Sequence, residues 1–488
     1  MPFDLLIQNV RLVRPNHSDV PTVDIAIADG KFAHIAPTID PTGIPTVVDG
    51  RGRLAFPGLV DAHMHTGIYA PLADDAVTES KAAAMGGVTT SLNYMRTGQY
   101  YLYKSGPYRT FFPEVLDLSD GNFWVDYAYH LAPMNKEHID EIDALVEEFG
   151  VTSFKIFMFY GGYGLHGRSN SQKDFLMIGE DERYDFAHFE FVMRGIKRAM
   201  DRYPHLKDYI SLSLHCETAE IMAAYTKLVE DDGTLTGLHA YHASRPPHSE
   251  GLAITIASYL AHETECVNIN LLHLTSFKAV DAALRMALAF PHINFRREVT
   301  IGHLLLDVDS PNGIYAKVNP PIRPRADVEA LWQAVLDGKV DWICSDHACC
   351  KHEKKLNGDD PGNVFLAKSG FGGSEYMLSG LYTEGHRRGL SLNRMAELVC
   401  WNPAQRYGLL SKGDVAVGLD ADLVLFDPTE SFVVRAAESE SSQGYTPFEG
   451  MKLAGRVKST YLRGNLVYDN GAVVGPAKGQ FIKRPTAI

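Results

Sequence analysis

The stretch from Ser153 to Tyr160 (SFKIFMFY) sets a single lysine, Lys155, inside an apolar run short enough to be a buried strand. Burying an ammonium without a partner is costly, so such a lysine tends toward the neutral amine. A neutral amine can add carbon dioxide to give a carbamate, a carboxylate on a long stem able to bridge two metal ions. The competing reading is a lysine paired with a carboxylate in a large core, and the strand alone does not separate the two.

Its company does. His63 and His65 follow one apolar run, His215 and His273 end two others, and Asp346 follows a fourth. Side chains alternate along an extended chain, so the two histidines of an HxH share a face and can hold one ion together. A lone histidine at a strand end is more often a hydrogen-bonded structural residue, which is the reading for His130, His303 or His347 taken singly. Six metal-capable positions at one set of strand ends are harder to explain by packing. Imidazole and carboxylate ligands suit zinc, with manganese, cobalt or iron as alternatives. Two ions about 3.5 to 4 Å apart would polarise a scissile carbonyl and acidify a bridging water.

The elements that must position these residues alternate in the manner of βα units. Eight strands are expected: Phe56 to Asp61, Thr89 to Asn93, Trp124 to His130, Ser153 to Met158, Ser211 to His215, Val267 to His273, Asn294 to Thr300 and Val340 to Ser345. Eight such units predict an α/β TIM (β/α)8 barrel over residues 56–410. Short alternating strands broken by Asn, Asp, Gly and Pro turns fill residues 1–55 and return in 411–488, which predicts one discontinuous β-sandwich domain built from both ends. Two loops look enlarged. One runs from Tyr94 to Asp120, crowded with tyrosines (Tyr100, Tyr101, Tyr103, Tyr108) and with Arg96 and Arg109, and the other spans Tyr160 to Asp185. Loops at the carboxyl ends of barrel strands gather substrate contacts.

Composition narrows the class. Hydrophobic residues make up 45% and charged residues 22% of 488, ordinary proportions for a globular enzyme. A formal charge of −14, with 46 basic against 60 acidic residues, excludes nucleic acid as the main partner. No apolar run approaches a membrane span, and the amino terminus lacks a basic region before a long apolar core, so a cytoplasmic location is expected. Six cysteines form no CxxC pair, which fits reduced thiols; the adjacent Cys349 and Cys350 read as packing or pocket residues.

The phrases FPGLVDAHMH, SFKIFM, LHCE, LLHLTS and CSDHA together resemble the amidohydrolase superfamily, in particular its cyclic amidase branch of dihydropyrimidinases, hydantoinases, allantoinases and dihydroorotases. The resemblance extends to VDYAYH, to WNPAQRYGLLSKGDVAVGLDADLVLFDP and to FEGMKLAGRVKSTYLRGNLVYDNG, and so runs nearly end to end. It implies that His63, His65 and Asp346 bind one metal, that His215 and His273 bind the other, and that carboxylated Lys155 bridges both. It further implies a metal-bridging hydroxide as nucleophile, Asp346 as proton carrier, and Tyr160 as a donor to the developing oxyanion. Asn319 and Ser369 fall where relatives grip the ring amide with backbone groups, and a homotetramer is expected.

The departures bear on substrate. Dihydroorotases resemble HxHxR after the first strand, the arginine reading the substrate carboxylate, whereas Thr66 and Gly67 follow His65 here. EVTIGHLLL and VNPPIRP are closer to dihydroorotases and allantoinases, while SDHACCKHEKK and LNYMRTGQYY are typical of none of these groups. The expectation is hydrolytic ring opening of a neutral cyclic amide, imide or ureide, with allantoin as the nearest rival. Dihydroorotate is disfavoured unless Arg96 or Arg109 supplies the missing cation. Competing functions are hydrolysis of an acyclic amide or a deamination on the same barrel, and a non-enzymatic scaffold, against which all six ligand positions stand.

Overall fold

A computed structural model describes residues 2–160, 184–356 and 358–487. Eight parallel strands follow one another in sequence and in space: Leu59–Met64, Val88–Met95, Asp126–Leu131, Ser153–Phe157, Ser211–His215, Asn268–Leu271, Asn294–Thr300 and Trp342–Cys344. The ring closes where Met64 bridges His347 in parallel and the His65 amide donates to the His347 carbonyl at 2.7 Å. This is the expected barrel. Its strands read as apolar runs because both faces are covered, one by the barrel interior and one by the helices.

The helix Phe186–Arg202 shows how sequence builds the outer ring. Phe189, Val192, Met193, Ile196, Ala199 and Met200 recur at helical spacing and are buried, while Asp185 caps the first turn by accepting from the amides of Ala187 and His188.

Both chain ends join in one nine-stranded sheet. Leu54–Pro57 pairs in parallel with Leu5–Leu12 on one side and antiparallel with Leu423–Val433 on the other, so early and late strands are hydrogen-bonded neighbours. A buried charge cluster ties this sheet to the barrel: Lys412 Nζ lies 2.9 Å from Asp126 of the third barrel strand and 2.7 Å from Asp422.

Two expectations are revised. The run Phe56 to Asp61 is not one strand; it divides at Gly58, where the chain leaves the end sheet and enters the barrel. A Cβ at Gly58 would lie 2.1 Å from Thr89 Oγ1, so only glycine lets the two strands approach. The segment Tyr94 to Asp120 is only partly loop, because Tyr108–Ser119 forms the second barrel helix despite Pro113. The other enlarged loop, Tyr160 to Asp185, lies almost wholly outside the described residues. No described helix is long and apolar enough to cross a membrane, and all six cysteines are free and buried.

Candidate active site

The six candidate ligand side chains converge on the carboxyl end of the barrel. Lys155 is the middle residue of its strand and is 1% exposed. Its Nζ contacts His63 Nε2 and lies 3.3 Å from His65 Nε2. The two imidazole Nε2 atoms are 3.3 Å apart, and Asp346 Oδ1 lies 2.9 Å from the first and 3.2 Å from the second. His215 ends its strand, and His273, beyond the end of the next, stands edge to face with it at 4.3 Å between ring centroids. His273 and Asp346 have φ of 34° and 53°, left-handed values that non-glycine residues adopt mainly where surroundings impose them.

Burial sets the protonation of these groups. It pushes the Lys155 amine down to about 8, toward the neutral form that can take up carbon dioxide. It pushes His65 to about 3, helped by the lysine, and His215 to about 4, so both imidazoles are neutral. Burial alone would raise the Asp346 carboxyl, but the imidazoles of His63 and His65 hold it well below the usual carboxylate range. The Nδ1 atoms of His215 and His273 are buried without a hydrogen-bond partner. Neutral imidazoles with orphaned nitrogens, an ionised carboxylate and a depressed amine form a donor set that divalent cations would satisfy. Donor atoms of His63, His273 and Asp346 all lie within 4.8 Å of one another.

A second layer orients this set, and sequence reasoning missed it. Glu298, on the seventh strand, holds His63 Nδ1 at 2.8 Å. Glu217, two residues past His215, holds that histidine's Nε2 at 2.7 Å and is itself clamped by Arg245. The signal was present in LHCE and EVT, but a carboxylate behind a ligand has no spacing rule of its own. His130 and His303 are structural, as read singly: His130 bridges Ser153 Oγ and the Ala62 carbonyl, His303 bridges Thr300 Oγ1 and the Pro320 carbonyl. His347 pairs with Glu79 at 2.7 Å behind the cleft, and Cys349 packs beside Ser442.

The cleft at this centre is lined by Ile68, Tyr69, Phe157, Val318 and Ala348, together with Asn319 and Ser369. Asn319 Oδ1 accepts from the Tyr241 hydroxyl, and the Ser369 carbonyl accepts from Tyr69 at 2.7 Å. Tyr160 does not line this cleft: its ring stacks on Phe157 at 4.8 Å, and Phe157 also stacks on His215 at 4.8 Å. Neither loop arginine lines it. Arg109 is paired with Glu148 at 2.5 Å on the exposed side, and Arg96 is buried against the rings of Tyr101 and Tyr160. Among the described lining residues the only ammonium is Lys155, which belongs to the ligand set.

The loop after the second strand reaches this centre through four consecutive residues with positive φ: Tyr100, Tyr101, Leu102 and Tyr103, at 74°, 48°, 70° and 55°. Left-handed backbone costs a non-glycine residue about 1–2 kcal/mol. The turn delivers the Tyr101 hydroxyl to within 2.5 Å of His65 Nδ1.

Residues 132–467 match the amidohydrolase family. The chain belongs to that family. It is 30% identical over 494 residues to an allantoinase of Salmonella choleraesuis, covering 99% of each chain. Among solved structures of this amidohydrolase fold, an L-hydantoinase (dihydropyrimidinase) from Arthrobacter aurescens superposes with a TM-score of 0.84 at 26% identity over 98% of this chain and 99% of that one. A dihydropyrimidinase from Brevibacillus agri gives 0.83 at 25% over 98% of each. This amidohydrolase is a hydrolase of cyclic amide C–N bonds.

Proposed function

We propose that the enzyme opens a neutral five-membered cyclic ureide, a hydantoin ring with or without a ureido arm, by metal-dependent hydrolysis. The observation that carries the reading is the cleft's lining: beside the candidate ligands stand apolar and aromatic side chains, with no arginine among the described lining residues to pair with a substrate carboxylate. Curated relatives are named allantoinases and structural neighbours hydantoinases. Allantoin is itself a ureido-substituted hydantoin, so one ring chemistry accommodates both names.

His63, His65 and Asp346 would hold one divalent ion, His215 and His273 a second, and Lys155 as its carbamate would contact both, with zinc as first choice. Ions bound there supply Lewis acidity toward the ring carbonyl and acidify the attacking water. The protein does the rest. Backbone groups around Asn319 and Ser369 align the ring amide, while Tyr69 and Phe157 cover its faces. Asp346, kept ionised, takes the proton of the attacking water and returns it to the ring nitrogen as the C–N bond breaks. Tyr160 donates its hydroxyl to the carbonyl oxygen as charge builds, which requires its ring to leave the stack on Phe157 when substrate enters.

The test is one panel at equal concentration, with zinc or manganese present: hydantoin, substituted hydantoins, allantoin, dihydrouracil, a cyclic imide and dihydroorotate. The hydantoin-ring compounds are expected to give the highest kcat/KM. A preference for dihydroorotate would overturn the argument from the cleft's lining.

A further inference from the structure

Sequence alone left the tyrosine-rich loop unexplained, and the proposed mechanism does not use it. Its geometry is specific. Tyr101 is 2% exposed, its ring stands edge to face with Tyr94 at 5.6 Å, and its hydroxyl lies 2.5 Å from His65 Nδ1. The neighbouring Tyr100 meets Tyr69 edge to face at 5.5 Å, and Tyr69 walls the cleft. The loop is therefore a strap packed against the cleft wall, closed on itself by the Gly98 amide donating to the Lys104 carbonyl at 2.8 Å. Four left-handed residues in succession are an unfavourable way to make a turn, and a functional contact at the turn is what such strain commonly accompanies.

We infer that Tyr101 is a positioning residue that fixes the tautomer of His65; the inference rests on the metal reading proposed above. The Nε2 of His65 faces His63, Lys155 and Asp346, at 3.3, 3.3 and 3.2 Å. A neutral imidazole carries one N–H, so Nε2 can offer a lone pair to a cation only when the proton sits on Nδ1. The Tyr101 oxygen, 2.5 Å from Nδ1, is the group placed to accept that N–H. His63 has a carboxylate, Glu298, at that same Nδ1, and His215 has one, Glu217, at its other nitrogen, Nε2, which leaves its Nδ1 as the open donor. His65 alone of the three is held by a phenol, and that phenol comes from a loop rather than a barrel strand. Loading of the metal centre is thereby tied to the placement of the strap.

The experiment measures zinc affinity by chelator competition on the full-length protein, alongside melting of the chelator-treated chain. Tyr101→Phe keeps the ring and removes the oxygen; its zinc affinity is expected to fall about ten- to a hundredfold, the range for loss of such an outer partner, with an unchanged melting temperature. Site-specific 3-fluorotyrosine at 101 keeps ring and hydroxyl but makes a poorer acceptor, and is expected to give an intermediate loss; should Tyr101→Phe not fold, this measurement decides alone. Leu102→Gly relieves strain while keeping the phenol, and is expected to hold zinc as the native chain does. Native affinity in both the Phe and fluorotyrosine proteins overturns the inference, as does a loss in Leu102→Gly equal to that in Tyr101→Phe. If the native chain itself binds no zinc, manganese, cobalt or iron, the metal reading fails, a result distinguishable from failure of Tyr101 alone.

Discussion

Glu298 Oε1 lies 2.8 Å from His63 Nδ1, and the same oxygen accepts the His273 amide at 3.2 Å while Oε2 accepts the Trp342 indole at 2.8 Å. One carboxylate on the seventh strand thus fixes candidate ligands on the first and sixth. Glu298→Gln keeps the size and an acceptor but removes the charge that makes the imidazole a stronger base. Metal affinity is expected to fall by about tenfold or more, with a melting temperature close to the native one. Native affinity in the variant would return Glu298 to a purely structural role.

Lys155→Ala removes the anion proposed to offset repulsion between two cations. Elemental analysis is expected to show most of the metal lost and turnover with it. Added short carboxylic acids should restore part of both, because they can occupy the space the side chain leaves. Native metal content and rate would end the bridging proposal.

Tyr160→Phe isolates one hydroxyl. If it supplies an oxyanion donor, kcat falls by about 10²- to 10³-fold with little change in KM. An unchanged kcat assigns Tyr160 to the stack on Phe157 in which it stands.

Asp346→Asn preserves shape and one ligand oxygen but no longer accepts a proton. Turnover is expected to fall far more than metal content. Equal losses would leave the ligand role standing and remove the proton carrier.

Two histidines near the strap contribute to acid stability alongside the other buried imidazoles. His138 accepts the Met134 amide at Nδ1 and holds the Gly106 carbonyl with Nε2, while His188 holds the Pro133 carbonyl. Burial pushes both down to about 4, against about 6.5 in an unfolded chain. Between these values the unfolded state binds protons that the fold refuses, so stability is fully present above about pH 6.5 and is lost as pH falls toward 4. Melting of chelator-treated protein from pH 8 to 4.5 should show this slope, and His188→Gln should make it shallower by one histidine's share. A native melting temperature flat through that interval would refute the assignment.

The barrel was legible because each strand, covered on both faces, is a compact apolar run, and because candidate ligands at strand ends interrupt apolarity in a way packing does not explain. Lys155 interrupts it from the middle of its strand. Glu298 and Glu217 were not legible, since nothing in local sequence tells a carboxylate behind a histidine from any buried polar residue. Tyr101 was visible only as one of several loop tyrosines, because four left-handed residues without glycine run against every local preference. The division at Gly58 was hidden for the opposite reason: strand-like sequence continues across it, and only the approach of Thr89 from another element forces the change of sheet. Pro113 and an aromatic-rich composition similarly disguised the helix Tyr108–Ser119.

The seam between Leu54–Pro57 and Leu423–Val433 also dictates an order of events during synthesis. The early strands leave the ribosome long before their late partner exists, at about 5–20 residues per second. For that interval Leu54, Ala55 and Phe56, all fully buried in the finished molecule, present an open strand edge of the kind that recruits other chains. The whole barrel must be made before that edge is sealed. Substitutions that slow barrel folding should therefore lower soluble yield by prolonging this exposure, even where they leave the finished enzyme's stability unchanged.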